Sequence, residues 1–207
     1  MFITLEGPDG SGKTRQIQPL ADFLIEKGFT VFTAREPGGT AIGDQVRAIL
    51  MNLKNTSMRP RTEALLFCSA RAQLVDEVIR PHLEMGEVVL LDRYADSTMA
   101  YQGYGHQNDL VLIKNLLDFA TGGLKPDLTF LLDVDPEVGL RRRQVGGDEW
   151  NRLDAYQLQY HQRVRLGYLQ MAAAEPDRWR IIDASQPPDM VKSRIQNILL
   201  LFLSNLS

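Results

Sequence analysis

The chain has 207 residues, 44% of them hydrophobic and 24% charged, and carries a formal net charge of −3. That composition fits one globular domain with a proper core, and it excludes disorder, a collagen-like fibre and a disulfide scaffold. The acidic balance argues against a broad basic surface for nucleic acid, so an anionic ligand has to be held by local arginines and backbone amides.

No basic segment leading into a cleavable apolar stretch follows Met1, so no signal peptide is expected. Phe2–Glu6 is a short apolar run that predicts a strand buried on both faces. It leads into Gly7-Pro8-Asp9-Gly10-Ser11-Gly12-Lys13-Thr14, a match to G-x-x-x-x-G-K-[ST], which opens a helix over Lys13–Lys27 with Gly28 as its C-cap. Glycines at this spacing let successive N–H groups point into one concavity, and the helix N-terminus adds partial positive charge. Lys13 is placed to reach the β- and γ-phosphates and the Thr14 hydroxyl to ligate Mg²⁺, so a nucleoside triphosphate site is expected. Asp9 sits among anionic oxygens, and two readings stay open: it points to a sugar hydroxyl or bound metal, or it caps a local turn.

Thr30–Ala34 predicts the second strand, and Arg35-Glu36-Pro37-Gly38-Gly39-Thr40 after it is too rich in special residues for a mere connector. Arg47, on the helix that follows, is a candidate phosphate ligand. Thr62–Arg80 predicts a helix that is apolar on more than one face and ends before Pro81. It holds Cys68, whose solitude excludes an intrachain disulfide and fits a reducing compartment. Phe67 and Arg71, four apart, share a face of it and suit a base pocket; a core ring with a snorkelling arginine is the alternative.

Val88–Asp92 predicts an apolar strand ending in a carboxylate suited to hold Mg²⁺ or its waters, with Arg93 placed to stabilise a phosphoryl group in transit. Thr98, Tyr101 and Gln102 then fall on one helical face, a rim for a nucleobase and sugar. Asp109–Ala120, Pro136–Arg143 and Trp150–Ala174 predict helices, and Leu128–Asp133 and Trp179–Asp183 strands. Arg141-Arg142-Arg143, Gly146-Gly147 and Arg152 suggest a mobile flap, with a lid over about 141–153 whose arginines close on the triphosphate. Three consecutive helical arginines fan across roughly 200°, so they are not expected to face one ligand together. His82, His106 and His161 have no metal-ligand spacing. The last helix starts near Pro188, and its run Ile198–Leu203 is far short of the ~18 residues that span a bilayer. A cytoplasmic location without a membrane partner is expected.

Strand–helix alternation with buried strands predicts a single α/β domain over 1–207: a three-layer P-loop NTPase sandwich with a mainly parallel five-stranded sheet flanked by helices and a short Arg-rich lid. Ligands belong beyond the carboxyl ends of its strands.

The set Gly7–Thr14, Arg35-Glu36-Pro37-Gly38-Gly39-Thr40, Phe67 with Arg71, Asp92-Arg93-Tyr94 and Ser97-Thr98-x-Ala-Tyr101-Gln102-Gly103 resembles the bacterial thymidylate kinases, nucleoside monophosphate kinases of the P-loop class. The resemblance covers essentially the whole chain, with the motifs in the family's order. It implies transfer of the ATP γ-phosphoryl group to dTMP, giving dTDP, with Mg²⁺ and no covalent intermediate. It also implies that Gly7, Pro8, Asp9, Gly10, Ser11, Gly12, Lys13 and Thr14 hold ATP, with Thr14 and Asp92 at the metal. Phe67 would stack on thymine, Arg71 would hydrogen-bond it, and Thr98 and Gln102 would complete base recognition. Tyr101 would lie under the sugar, Arg47 and Arg93 would grip the acceptor phosphate, and Glu36 and Pro37 would line that pocket. Asp9, Lys13, Arg93, Arg143 and Arg152 form the implied catalytic set, and a homodimer packed through helices is the implied assembly.

Three positions depart from the family pattern. Arg15 replaces a second hydroxyl after Thr14, Asn151-Arg152-Leu153-Asp154 softens Asp-Arg-x-Glu, and the arginine run leaves open which lid arginine touches ATP. The rivals are a kinase for dUMP or a deoxynucleoside, a GTP-dependent switch, and a nucleic-acid motor. A switch usually carries Asn-Lys-x-Asp and no Asn-Lys occurs here; a motor would need a basic stripe.

Overall fold

Alternation of side chains along each strand builds two cores on one sheet. In a computed structural model that describes residues 1–145 and 151–204, five strands pair in parallel: Phe2–Glu6 (β1), Val31–Arg35 (β2), Val88–Asp92 (β3), Leu128–Asp133 (β4) and Trp179–Asp183 (β5). Their order is β2-β3-β1-β4-β5. Ile3, Leu5, Leu90, Phe130 and Leu132 pack with Leu20 and Leu24 of Lys13–Glu26 (α1) and with Ile195 and Leu199 of Pro188–Ser204 (α9). Phe2, Val89 and Leu91 turn the other way, onto Leu74, Val75, Ile79 and Tyr94. Period-two burial on both faces is what a parallel sheet covered by helices requires, and each such side chain contributes about 1.5–3 kcal/mol. The second strand is shifted by one residue from its predicted span, because Arg35 pairs in register with Asp92.

The long helix does not stop at Pro81 as predicted. Pro60–Leu74 (α3) passes through a π-helical turn, Val75–Ile79, into Arg80–Glu84 (α4). The Arg80 N–H bonds Val75 O five residues back, and the widened turn admits a proline that has no N–H to give. Between β2 and α3 lies Ala41–Met51 (α2), N-capped by Thr40, whose hydroxyl accepts from Gly43 N–H.

After β3 the chain forms Ala95–Thr98 (α5) and a second π-helical segment, Met99–Gly105. Leu110–Thr121 (α6) follows, capped by Asp109, and beyond β4 comes Pro136–Val145 (α7). The helix predicted from Trp150 begins only at Leu158 and runs to Ala174 (α8). Residues 151–157 are held in turns, with Asn151 Oδ1 accepting from Leu153 N–H and Asp154 Oδ2 from Asn151 N–H. The predicted flap glycines Gly146 and Gly147, and Trp150 itself, lie outside the described residues. The carboxyl ends of β1, β2 and β3 open on one side of the sheet, where the predicted motifs gather.

Candidate active site

The glycine loop is fixed by close backbone approach. Gly7 and Gly10 have φ of 143° and 72°, and a Cβ on Gly7 would stand 2.4 Å from Leu132 O and one on Gly10 2.0 Å from Gly139 O. The loop is thereby pressed against the end of β4 and against α7. Lys13 Nζ donates to Gly7 O at 3.0 Å, Pro8 O at 2.8 Å and Ser11 Oγ at 3.1 Å. Burial, then the neighbouring Arg93 charge, lower its pKa to about 8, with Asp92, Asp9 and Glu6 pulling back. Thr14 Oγ1 donates to Asp92 Oδ2 at 2.5 Å, which joins the loop to the end of β3.

Arg93 is the hub. It is one of two non-glycine residues with positive φ (72°) among those described, a strained conformation at the tip of β3. Nη1 donates to Gly7 O and Ser97 Oγ at 3.1 Å and to Tyr168 OH at 3.3 Å; Nη2 donates to Asp9 Oδ1 at 2.6 Å and Tyr101 OH at 3.1 Å. Tyr101 OH in turn donates to Asp9 Oδ2 at 2.7 Å. Burial alone would raise the Asp9 pKa, but Arg93, then Lys13 and Tyr101, hold it down at about 2. The Asp9 side chain is thus directed to Arg93 and Tyr101.

Below the hub lies Glu6, 0% exposed, a residue the sequence reading took only as the end of a strand. It accepts from Tyr94 N–H at 2.7 Å, Ser97 Oγ at 2.6 Å and Tyr168 OH at 2.9 Å. Burial, then Asp96, lift its pKa from 4.5 to about 7 against those bonds and Arg93. A carboxyl whose folded pKa is raised contributes stability that is complete below its ordinary value of 4.5 and lost as pH rises through about 7. Glu6→Gln is therefore expected to remove a fall in unfolding free energy between pH 4.5 and 7, measured by denaturant titration. An unchanged slope would assign the pH dependence elsewhere.

The opposite wall carries Glu36, which meets Arg71 through Nε at 2.8 Å and Nη2 at 2.5 Å. Arg71 also donates to Thr98 Oγ1 and Tyr94 O, both at 3.0 Å. Burial raises the Glu36 pKa, and Arg71 opposes it. Arg47 Nη1 donates to Pro37 O at 2.8 Å, and Phe67 packs with Leu50 and Leu153.

One cleft of about 950 Å³ collects most of the predicted residues. Asp9 through Thr14, Glu36, Pro37, Arg47, Phe67, Asp92, Arg93, Thr98, Tyr101, Gln102 and Arg143 border it. Gly7 and Pro8 lie behind the loop, where their carbonyls accept from Lys13. Arg71, 1% exposed, stands behind Glu36 and Thr98 and does not border the cleft.

Arg152 departs furthest from expectation: it is turned away from the cleft. It pairs with Glu63 Oε2 at 2.6 Å and donates to Leu50 O at 3.0 Å and Tyr156 OH at 2.8 Å, because a carboxylate buried on α3 claims its charge. Arg141, Arg142 and Arg143 all border the cleft despite their angular spread, since it extends round the end of α7. Arg142 donates to Ala184 O at 2.7 Å, and Arg143 pairs with Asp154 at 2.6 Å. Glu63 escaped the sequence reading because a glutamate in a helix's first turn looks like a favourable dipole partner and nothing more.

The family profile described as Thymidylate kinase matches residues 5–195. The thymidylate kinase of Roseiflexus sp. (strain RS-1) is 49% identical over 218 residues, spanning 100% of this chain and 96% of that protein. That of Carboxydothermus hydrogenoformans is 48% identical over 198 residues, spanning 96% of each. The crystal structure of thymidylate kinase from Ehrlichia chaffeensis superposes with a TM-score of 0.77 at 34% identity, covering 96% of this chain and 98% of that one.

Proposed function

Because the chain belongs to the thymidylate kinase family, we propose that its cleft holds ATP and dTMP tail to tail, so that the γ-phosphoryl group passes directly to the dTMP 5′-phosphate. The chain is an enzyme that converts dTMP to dTDP with ATP. The observation that carries the site assignment is Arg93, whose guanidinium touches Gly7 O of the glycine loop and Tyr101 OH of the opposite wall.

At the loop, Lys13 and the amides of residues 10–14 bind the triphosphate. On the other wall, Phe67 stacks on the base, Thr98 and Gln102 read its edge, and Tyr101 lies under the sugar. Arg47 and Arg93 hold the acceptor phosphate, with Glu36 and Pro37 beside it. Arg71 acts from behind, holding Glu36 and Thr98 in place. Catalysis needs positioning and charge cancellation, since the attacking oxygen is already a phosphate anion. Asp9 keeps its charge at neutral pH and orients Arg93 and Tyr101. Arg141, Arg142 and Arg143 border the cleft and are placed to share this role, whereas Arg152 would have to leave Glu63 to do so.

The paired oxygens of Thr14 and Asp92 suit a hard cation, and Mg²⁺ characteristically takes one or two protein oxygens with phosphate and water completing its shell. Two protein oxygens leave the rest of the shell to phosphate and water, so the donor set fits Mg²⁺ delivered with ATP. Bound there, Mg²⁺ would neutralise charge on the phosphate oxygens.

The reaction is tested by acceptor-dependent ADP release with dTMP, dUMP, UMP and thymidine. Release driven best by dTMP is expected; ATP turnover that no acceptor stimulates would overturn it. Phe67→Ala should raise KM for dTMP roughly tenfold while changing kcat little. An unchanged KM would return the ring to the small core it shares with Leu50 and Leu153.

A homodimer is supported by exposed apolar side chains on two helices that pack together, Phe119 (87% exposed) and Leu112 on α6 and Leu65 on α3. Phe119→Glu should convert the protein to monomers in light scattering at micromolar concentration; an intact dimer would place the interface elsewhere. A cytoplasmic location is supported by the buried free thiol of Cys68.

A further inference from the structure

We propose that Glu63 is a positioning residue for acceptor specificity: it binds the amide nitrogen of Gln102, which turns the amide oxygen toward the cleft and selects a pyrimidine whose ring N3 carries a hydrogen. This rests on the reading that Gln102 faces the base. Glu63 lies in the first turn of α3 and is 0% exposed. Its Oε1 accepts from Gln102 Nε2 at 2.8 Å and meets His106 Nε2 at 3.0 Å. Its Oε2 meets Arg152 Nη2 at 2.6 Å and Tyr156 OH at 3.1 Å.

Three hydrogen bonds and the Arg152 ion pair on one carboxylate account for its being buried and still charged. Burial would raise its pKa, but His106, Arg152 and Gln102 bring it below the ordinary value. An ionised carboxylate only accepts hydrogen bonds. The Gln102 atom that faces it is therefore the NH₂ group, which fixes an amide orientation that is otherwise ambiguous.

Gln102 borders the cleft, and its amide oxygen is the atom left to meet a ligand there. An acceptor at that point matches the N3–H of thymine or uracil. Cytosine seated in the same pose would oppose it with the bare lone pair of N3, and two facing acceptors are unfavourable. Glu63 thus sets a choice between pyrimidine classes without touching the substrate.

Glu63→Gln reverses the instruction. Arg152 has donors only, so it keeps the new side chain's oxygen, leaving an NH₂ group to face Gln102, whose amide then turns over. The test compares kcat/KM for dTMP and dCMP in wild type, E63Q, Q102A and the double variant, with Mg²⁺ and ATP. The ratio of the two substrates on one preparation does not depend on the fraction folded, and Glu63→Ala, which releases the amide altogether, gives the same reading if E63Q folds poorly.

The expected result is a dTMP preference lowered about tenfold or more in E63Q and E63A, with the double variant no lower than Q102A alone. If Q102A collapses the ratio while E63Q and E63A keep the wild-type value, the role of Glu63 is overturned and the base pocket stands. If Q102A also keeps the wild-type ratio, Gln102 does not read the base, and both readings fall.

Discussion

Arg93→Ala is expected to bind ATP almost normally and to lose at least a factor of about a hundred in kcat, on the scale of an arginine finger. The substitution removes a cation from the junction of the two ligands and strips Asp9 of its principal partner. Two anionic substrates then meet without the charge that cancels their repulsion, while Lys13 and the loop amides still hold the triphosphate. A second signature separates this from simple loss of packing. Asp9 sits at about 2 because Arg93, with Lys13 and Tyr101, overcomes the effect of burial, so without Arg93 its pKa rises toward the ordinary carboxylate range. The acid limb of the pH–rate profile should move upward accordingly. Part of the damage will be to stability, since breaking a largely buried ion pair costs about 3–5 kcal/mol, so kcat must be referred to titrated active sites. Turnover within threefold of wild type would remove Arg93 from the mechanism.

Lys13→Ala should lower kcat by about 10²–10³ and weaken ATP binding, leaving dTMP binding in place. The ammonium is almost wholly buried and held by Gly7 O, Pro8 O and Ser11 Oγ, so its loss removes a charge and also the donor that closes the loop. With a pKa near 8, the group loses its proton as pH rises through that value, and the attraction for a polyanion goes with it. ATP affinity of the wild type should therefore fall between pH 7 and 9, whereas K13A should show no such fall. Isothermal titration across that range would reveal it; parallel pH profiles would mean that Lys13 is not the titrating group.

Much of the site was legible before the fold was known. The glycine loop could be read because its chemistry is local: positive φ at Gly7, Gly10 and Gly12 and a helix start at Lys13 follow from residues adjacent in the chain. Asp92 and Arg93 could be read because a strand's end is where an open parallel sheet presents side chains to a ligand. Thr98, Tyr101 and Gln102 border one cleft as their spacing suggested, although the segment winds as a π-helix from Met99 and not as the α-helix on which that spacing rests.

Composition and apolar periodicity pointed to the class of fold, the glycine-loop motif to the phosphate cradle, and the resemblance to the thymidylate kinases to many of the residues that border the cleft. Only the packed structure decided that Arg152 turns inward to Glu63, that Arg71 stands behind the wall, that Glu6 underlies Arg93 and that the strands run in the order β2-β3-β1-β4-β5. The physical reason is that a charge takes its partner according to distance and burial. Both are set by which helices lie against each other, and neither leaves a mark at short range along the chain.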